Sequence, residues 1–403
     1  MSNDKCQINE LYPIDIFAAL YNGKGSFLLE SPTGQGKLER YSFIGLNPIK
    51  TITSFAALET TDLKHGAFGF LSYDFAWELE KLPNLAKDDL LLPRVYFVIP
   101  ETLIVFDHVK QDFTIHGKQI SLPPSPFSPS PLLRGKGIGD RGLPKSNLNK
   151  QKFEQIVKKA KNHIAKGDIY QANLSQRFEA PISDQSFEIY KRLKKINPSP
   201  FAAYFDCGDF QICSSSPERL IKLENGLAES RPIAGTRPIT AKEEELLLDP
   251  KERAEHIMLV DLERNDLGKV CKYGSVHVDE TMIIEKYSHV IHIVSNVKGK
   301  LRPDKSKFDL IRAMFPGGTI TGCPKIRSME IIEELEPVKR GIYTGSIGYI
   351  MPDKMDLNIA IRTIVIKDKK AYLQAGAGIV TDSNPQREYH ETLHKAQAMI
   401  EAI

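Results

Sequence analysis

The 403-residue sequence is poor in cysteine, has a single tryptophan, and contains no long apolar run. Its five cysteines, Cys6, Cys207, Cys213, Cys271 and Cys323, are scattered and odd in number. None stands in a C-x-x-C pair, so neither a disulfide framework nor a zinc site is indicated. No apolar stretch approaches the ~20 residues that cross a bilayer. The N-terminal MSNDKCQINE is polar and lacks a signal-peptide core. An excess of one charge is also missing. Lys and Arg number 54 against 51 Asp and Glu, a net of +3. That balance gives no electrostatic case for a nucleic acid or a membrane surface as partner. A soluble chain in a reducing cytoplasm is the default expectation, and no internal repeat is visible.

What is present supports a large core. Apolar residues make up 41% of the chain, enough for one large or two ordinary domains. Residues 1–120 read as β-rich. Strand-like runs at Gly25–Glu30, Arg40–Gly45, Arg94–Ile99, Thr102–Phe106 and Phe113–His116 are separated by Gly, Pro and Asp signals, among them a Gly-rich turn at Thr33–Gly36. Residues 121–144 are dense in Pro, Ser and Gly, a composition that buries too little apolar surface to order itself. They read as an exposed linker or insertion. Residues 145–403 mix strands (Ala202–Phe205, Gln211–Ser214, Leu220–Leu223, Gly345–Ile350, Met355–Ile366, Ala371–Ala375) with helices near 153–164 and at Glu243–Leu248, Asp249–Leu267, Lys307–Met314, Lys325–Leu335 and Gln386–Ala402. Helices outside strands paired over long distances make the fold class α+β.

Two stretches carry unusual chemistry. Asp249–Gly268 opens as a helix, with Asp249 as N-cap, Pro250 at the first helical position and Glu252 where a capping box puts its acid. Its apolar run Ile257–Val260 predicts a deeply buried helix. Glu255 precedes that run and needs a cationic partner, for which an ion pair with Lys or Arg is the ordinary solution. The strand Asp168–Phe178 sets Gln171, Asn173, Ser175 and Arg177 on one face by alternation. Such a face meets water or lines a polar site, and water is the default. Three Gly-rich stretches, FPGGTITGCPK, GIYTGSIGY and AGAG, sit at helix starts or strand ends. The first is neither a P-loop nor a dinucleotide fingerprint.

Taken together, GDIYQANLSQRF, SSSPERL, RPIAGTRP, KERAEHIMLVDLERNDLG, FPGGTITGCPKIRSMEII, GIYTGSIGY, NIAIRT and AGAGIV followed by EYHET resemble the chorismate-utilising family in order and spacing. FLLES (Phe27–Ser31), RYSFIG and GFLSYD extend the resemblance to its amino-forming members. It implies the anthranilate synthase component I-like fold, with two large, mainly antiparallel β-sheets packed together and helices outside. It divides the chain into an N-terminal region 1–120, the linker 121–144 and a chorismate-binding catalytic region 145–403.

The resemblance also implies roles. Glu255 and Glu391 match the two glutamates that hold Mg²⁺ against the ring carboxylate of chorismate, with Glu388 and Glu252 as nearby alternatives. Mg²⁺ favours such oxygen donors. Glu218 matches the general acid that protonates the departing C4 hydroxyl, although pairing with Arg219 or Arg237 is the plain alternative. Gln171 stands where water-adding members carry a lysine base, which points to ammonia as nucleophile. Arg362 and Tyr343 match side chains that hold the pyruvyl carboxylate, an anion suited to the guanidinium fork. Gly376 and Gly378 can offer backbone N–H groups to it. Thr319 matches a ring contact, with Thr236 as another. His292 matches a histidine near the leaving hydroxyl, and Lys395 a cation near the ring carboxylate or Mg²⁺. Leu29, Glu30 and Ser31 match the segment that holds tryptophan in relatives. No glutaminase signature is apparent, so a separate glutamine amidotransferase subunit is implied as ammonia donor.

Two products fit. Aminodeoxychorismate synthase component I (para-aminobenzoate synthase component I) leaves the amine on C4 and serves folate synthesis. Anthranilate synthase component I aminates C2 and eliminates pyruvate. GDIYQANLSQRF, FPGGTITGCPK and YTGSIGYI favour the first. Ala234, where some aminodeoxychorismate synthases carry a nucleophilic lysine, matches the second. A non-catalytic scaffold that binds an amino acid or a partner ranks low, because Glu218, Glu255 and Glu391 are all present.

Overall fold

The structure is a computed structural model that describes residues 12–31, 40–122, 144–240, 242–286 and 290–403, with only the backbone of residues 236, 238, 251 and 290. The turn expected at Thr33–Gly36 and the Pro-rich stretch from residue 123 onward lie outside the described residues.

Two long strands set the architecture. Tyr41–Ile52 and Val95–Asp107 pair antiparallel along nearly their whole length, with a register shift beside the facing Pro48 and Pro100. Proline offers no N–H to a ladder, so a bend is least costly there. At one end the pair carries Ala67–Leu71. The ladder then runs through Ser346–Ile350, Lys354–Asn358, Arg219–Glu224 and Leu227–Ser230 to Val290–Lys300. At the other end Phe27–Glu30 leads through Phe201–Asp206, Phe210–Ser216, Thr363–Lys367 and Lys370–Ile379 to Gln171–Pro181. All ladders between these strands are antiparallel. The two sheets implied by the resemblance are therefore halves of one hydrogen-bonded surface, 19-stranded among the described residues, folded over at its long strands.

The halves close on an aromatic layer that includes Phe27, Phe43, Phe68, Phe70 and Phe205. The Phe27 ring stacks on Phe68 at 4.7 Å and on Phe205 at 5.1 Å between centroids. Gly45 faces Phe27 in register, and a Cβ there would collide with that ring. The glycine of RYSFIG is thus a packing requirement. Helices cover the outer faces. Lys307–Met314 seals one half with Phe308, Ile311 and Met314. Pro13–Leu20, Ser186–Ile196 and Pro385–Ala402 seal the other with Phe17, Tyr190, Leu193 and Met399. Caps mark the helix starts. Asn149 accepts from Lys152 N before Lys150–Ala165, and Ser306 with Asp309 forms a capping box.

Several sequence expectations are corrected. Arg94–Ile99 and Thr102–Phe106 form one strand, because Pro100 sits at the bend and breaks no ladder. Met355–Ile366 is two strands, split at residues 359–362 where Arg362 takes φ 51°. Leu227–Ser230, Ile233–Pro238, His277–Lys286 and Val290–Lys300 are strands that the pattern did not mark, since their charged and apolar residues alternate irregularly. The helix Pro250–Gly268 is not deeply buried: Ile257 is 51% exposed. Its inner face is His256, Leu259, Glu263, Asp266 and Leu267, largely polar, so apolar content misjudged its depth. The cap holds, with Asp249 Oδ1 accepting from Glu252 N at 3.2 Å.

Phe27→Ala would empty the middle of the stacked layer. Loss of a buried phenylalanine costs about 3–5 kcal/mol. The urea midpoint of the variant is expected to fall accordingly, and a fall under about 1 kcal/mol would mean the layer refills by relaxation.

Candidate active site

The polar face of Gln171–Pro181 does not meet water. Gln171 is 2% exposed, and Asn173 and Ser175 are also buried. Alternation placed these side chains correctly, but the default of solvent fails because neighbouring elements cover the face. The helix Pro250–Gly268 supplies Glu255, whose Oε1 accepts from Gln171 Nε2 at 3.0 Å. Lys370–Ile379 lies alongside, with Gly378 opposite Asn173 and Gly376 opposite Ser175. A Cβ on Gly378 would stand 2.5 Å from Gln171 Nε2 and 3.4 Å from Glu255 Oε1. One on Gly376 would meet the Asn173 amide and lie 2.7 Å from the Tyr343 hydroxyl. The two glycines clear a floor on which these polar groups converge.

Cations gather beside that floor. Lys395 Nζ lies 3.2 Å from Gly376 O and 2.7 Å from Glu391 Oε1, one helical turn away. Arg362 occupies the break between two strands. Burial disfavours its charge, and only the Tyr343 phenol among its neighbours supports it. Its guanidinium makes no hydrogen bond or ion pair with a described residue, so it is poised for an anion. Burial also pushes the Tyr343 hydroxyl well above its ordinary range. His292 accepts or donates at Nδ1 with Gly235 O, and since a carbonyl only accepts, Nδ1 carries the proton at 3.1 Å. Burial holds its pKa down against that bond, helped by the charges of Arg362 and Lys395. Thr236 faces His292 in register, but its side chain lies outside the described residues.

Glu218 is the acid of the group. It is 5% exposed, at the turn before Arg219–Glu224. Its Oε1 and the Thr319 hydroxyl have no settled partner among the described residues. Burial pushes its pKa to about 8, opposed by the neighbouring Thr319 hydroxyl and reinforced by Glu263. It pairs with neither Arg219 nor Arg237. Arg219 forks onto Asp356 at 2.8 and 2.7 Å, and Arg237 reaches Asp249 and Glu252. Near neutral pH Glu218 therefore keeps its proton and can donate it.

Glu255 and Glu391 are the carboxylates that the resemblance assigns to a hard cation. Among the described residues no three of His, Cys, Asp and Glu converge as a ready-made cage. Mg²⁺ does not need one, since it retains water and uses one or two carboxylates. By donor type the residues fit it. Ion pairing does not separate the candidates, since Glu252 pairs with Arg237 at 3.2 Å and Glu391 with Lys395 at 2.7 Å, while Glu388 is buried in the final helix.

Leu29, Glu30 and Ser31 are not part of this cluster. They line a separate cavity of about 270 Å³ with Tyr41, Arg219 and Tyr349. Glu30 is already held there by the Tyr190 hydroxyl at 2.6 Å and Lys194 Nζ at 2.8 Å. Sequence reasoning put Asn173 on the polar face with Gln171 but did not single out Glu263 or the Glu336–Arg340 pair, which lie beside this cluster. These three are set by long-range contacts that leave no local pattern.

The family of chorismate binding enzymes matches residues 27–401. Anthranilate synthase component 1 of Acetivibrio thermocellus is 40% identical over 97% of this chain and 92% of its own. Aminodeoxychorismate synthase component 1 of Bacillus subtilis (strain 168) is 42% identical over 94% of this chain and 92% of its own. The crystal structure of anthranilate synthase component I from Streptococcus pneumoniae TIGR4 superposes with a TM-score of 0.79 at 33% identity, covering 99% of this chain and 100% of that one. The menaquinone-specific isochorismate synthase of Escherichia coli shares the fold, with a TM-score of 0.78 at 16% identity, over 100% of this chain and 95% of that one.

The raised pKa of Glu218 has a consequence for stability. An acid whose folded-state pKa lies above its ordinary 4.5 contributes fully below 4.5, and that contribution is lost as pH rises through about 8. The loss is about 5 kcal/mol at most. Glu218→Gln lacks it. The melting midpoint of the variant should exceed that of the wild type at pH above 8, with the gap closing towards pH 4.5. A constant gap across that range would place the Glu218 proton elsewhere.

Proposed function

The chain belongs to the family of chorismate binding enzymes, and from that premise we propose that it aminates chorismate with ammonia to give 4-amino-4-deoxychorismate, the precursor of para-aminobenzoate in folate synthesis. The observation that carries the reading is Gln171, a buried neutral amide tied to Glu255 where the resemblance puts a lysine in water-adding members. An amide can orient ammonia by hydrogen bonding but is a negligible base for water. Ammonia needs no base to become a nucleophile.

The residues take roles that follow from their chemistry. Arg362 and the Tyr343 hydroxyl bind the pyruvyl carboxylate over the floor cleared by Gly376 and Gly378. Lys395 adds positive charge near the ring carboxylate. Mg²⁺ held by Glu255 and Glu391 would neutralise that carboxylate and fix the ring. Gln171 directs ammonia to C2, and as the C2–N bond forms the ring double bonds shift and the C4–O bond breaks. Glu218, with Thr319 beside it, gives its proton to the departing hydroxyl, which leaves as water. His292 stays neutral nearby, and Thr236 belongs to the same wall. For the amine to end on C4, a second ammonia adds there as the C2 amine leaves. Ala234 offers no amine for a protein-bound adduct, so both displacements use free ammonia.

One observation favours a second reading. Ala234 matches anthranilate synthases, and relatives of both names are similar to this chain at comparable identity. In that reading the C2 amine is retained and pyruvate is eliminated. Under either, a separate glutamine amidotransferase subunit supplies ammonia. We assign tryptophan, as regulator or structural ligand, to the cavity bordered by Leu29, Glu30 and Ser31.

Purified protein with chorismate, Mg²⁺ and ammonia should yield 4-amino-4-deoxychorismate by mass spectrometry. Anthranilate with pyruvate would select the second reading, and no aminated product would end both. In the same assay Gln171→Lys should raise isochorismate relative to amine. An unchanged ratio in a folded, active variant would place nucleophile choice elsewhere.

A metal role for Glu255 and Glu391 is tested separately. Glu255→Gln or Glu391→Gln should abolish turnover at limiting Mg²⁺ while the melting curve stays cooperative. Near-normal turnover in either variant would remove that residue from the metal site.

A further inference from the structure

Behind Glu218 lies a second buried carboxyl that the proposed reaction does not use. Glu263, on the inner face of the helix Pro250–Gly268, is 3% exposed. Its Oε2 lies 2.8 Å from the Ser230 hydroxyl, which is also 2.9 Å from Leu220 O, two residues past Glu218. On its other side, Oε1 is 3.5 Å from the point a Cβ on Gly318 would occupy, and the Gly318 N–H faces the carboxylate. Gly318 opens the short turn Gly318–Ile320, which carries Thr319 to Glu218. Glu263 thus meets the turn that carries Thr319 directly, and reaches the strand that follows the acid through the Ser230 hydroxyl.

We propose that Glu263 is a positioning residue for Glu218, fixing the Gly318–Ile320 turn against the acid and placing a second carboxyl behind it. The inference rests on the reading that Glu218 delivers the proton to the departing hydroxyl. The charged groups around the pair are few. Glu218 faces Glu263 and Lys395; Glu263 faces Asp266 and Lys325. Lys325 and Lys269 both bind Asp266, Lys325 through a close contact and Lys269 at 2.8 Å, so neither is paired with Glu263. Burial raises Glu263 to about 7 and Glu218 to about 8. As pH rises Glu263 ionises first, and its charge then opposes loss of the Glu218 proton. A second carboxyl in this position widens the pH range over which Glu218 remains an acid.

The test is the pH profile of kcat for chorismate consumption by the full chain, at saturating ammonia and Mg²⁺. Glu263→Gln keeps an acceptor for the Gly318 N–H, can donate its amide N–H to the Ser230 oxygen, and removes the charge. Glu263→Met removes both. Each should move the basic limb to lower pH by about half a unit or more. Ser230→Ala, which weakens the anion without touching its geometry at Gly318, should move it the same way by less. A merely structural role would lower kcat at every pH without moving the limb. An unmoved limb in the folded variants overturns the proposal. Absence of aminated product from the wild type would instead overturn the reading on which it rests.

Discussion

The buried pair of Glu336 and Arg340 is the constraint on which the site's geometry depends. Arg340 gives Nε and Nη2 to Glu336 at 2.9 and 2.7 Å, Nη1 to Ile320 O at 2.9 Å and Nη2 to Asn173 O at 2.6 Å. Its guanidinium lies over the rings of Tyr73 and Tyr343, 4.8 and 5.6 Å from their centroids. Glu336 in turn accepts from the N and Oγ of Ser175 at 2.8 and 2.7 Å. One ion pair therefore ties the Gln171 strand, the Thr319 turn, the Tyr343 turn and the aromatic turn at Tyr73. A buried pair adds little net stability, because desolvation offsets most of its attraction, but losing one partner costs about 3–5 kcal/mol. Its effect is to exclude other arrangements of these four segments.

That constraint is needed because the site is a dry polar layer. Glu218 and Arg362 are each desolvated and lack a full set of partners, a condition that costs stability. The apolar layers on either side of the folded sheet supply the compensating burial. The Phe27–Phe68–Phe205 stack sits between the halves, and the helix-covered cores lie outside them. The N-terminal segment is part of this scaffold. Tyr73 N donates to Gly341 O at 2.7 Å, and Asp74 Oδ2 accepts from Gly341 N at 3.2 Å, so both sides of that residue are clamped. Tyr343 lies two residues on. The aromatic stretch of Tyr73, Phe75 and Trp77 packs in the core and also holds the wall of the site.

Much of this was legible because the relevant signals are local. Strand parity put Gln171, Asn173 and Ser175 on one face, and a cap with a proline placed the start of the Glu255 helix. Gly-rich strand ends marked the floor, and motif order gave the fold. What was illegible depends on distance along the chain. Whether a polar face meets water is decided by elements far from it in sequence, as the covering of Gln171 by the Glu255 helix shows. Burial of the Pro250–Gly268 helix was overstated because an apolar run does not say which face turns inward. Glu263 and Asp266 are buried there while Ile257 is not. Prolines misled in the opposite sense, since Pro48 and Pro100 sit where the two long strands bend and cost no ladder bond.

In the proposed amination, the choice of nucleophile would follow from the same desolvated layer. Gln171 Nε2 is committed to Glu255, and its Oε1 is left without a partner among the described residues. The free end of the amide is therefore an acceptor, suited to hold a donor such as ammonia. A lysine in this place would feel two opposed effects. Burial would favour the neutral amine that can act as a base, whereas the adjacent Glu255 carboxylate would favour the ammonium. Which effect wins depends on whether the Glu255 charge is engaged elsewhere. Nucleophile choice and the electrostatic state of Glu255 are thus coupled through one hydrogen bond. A neutral amide escapes that dependence, because the N–H it donates to Glu255 does not titrate.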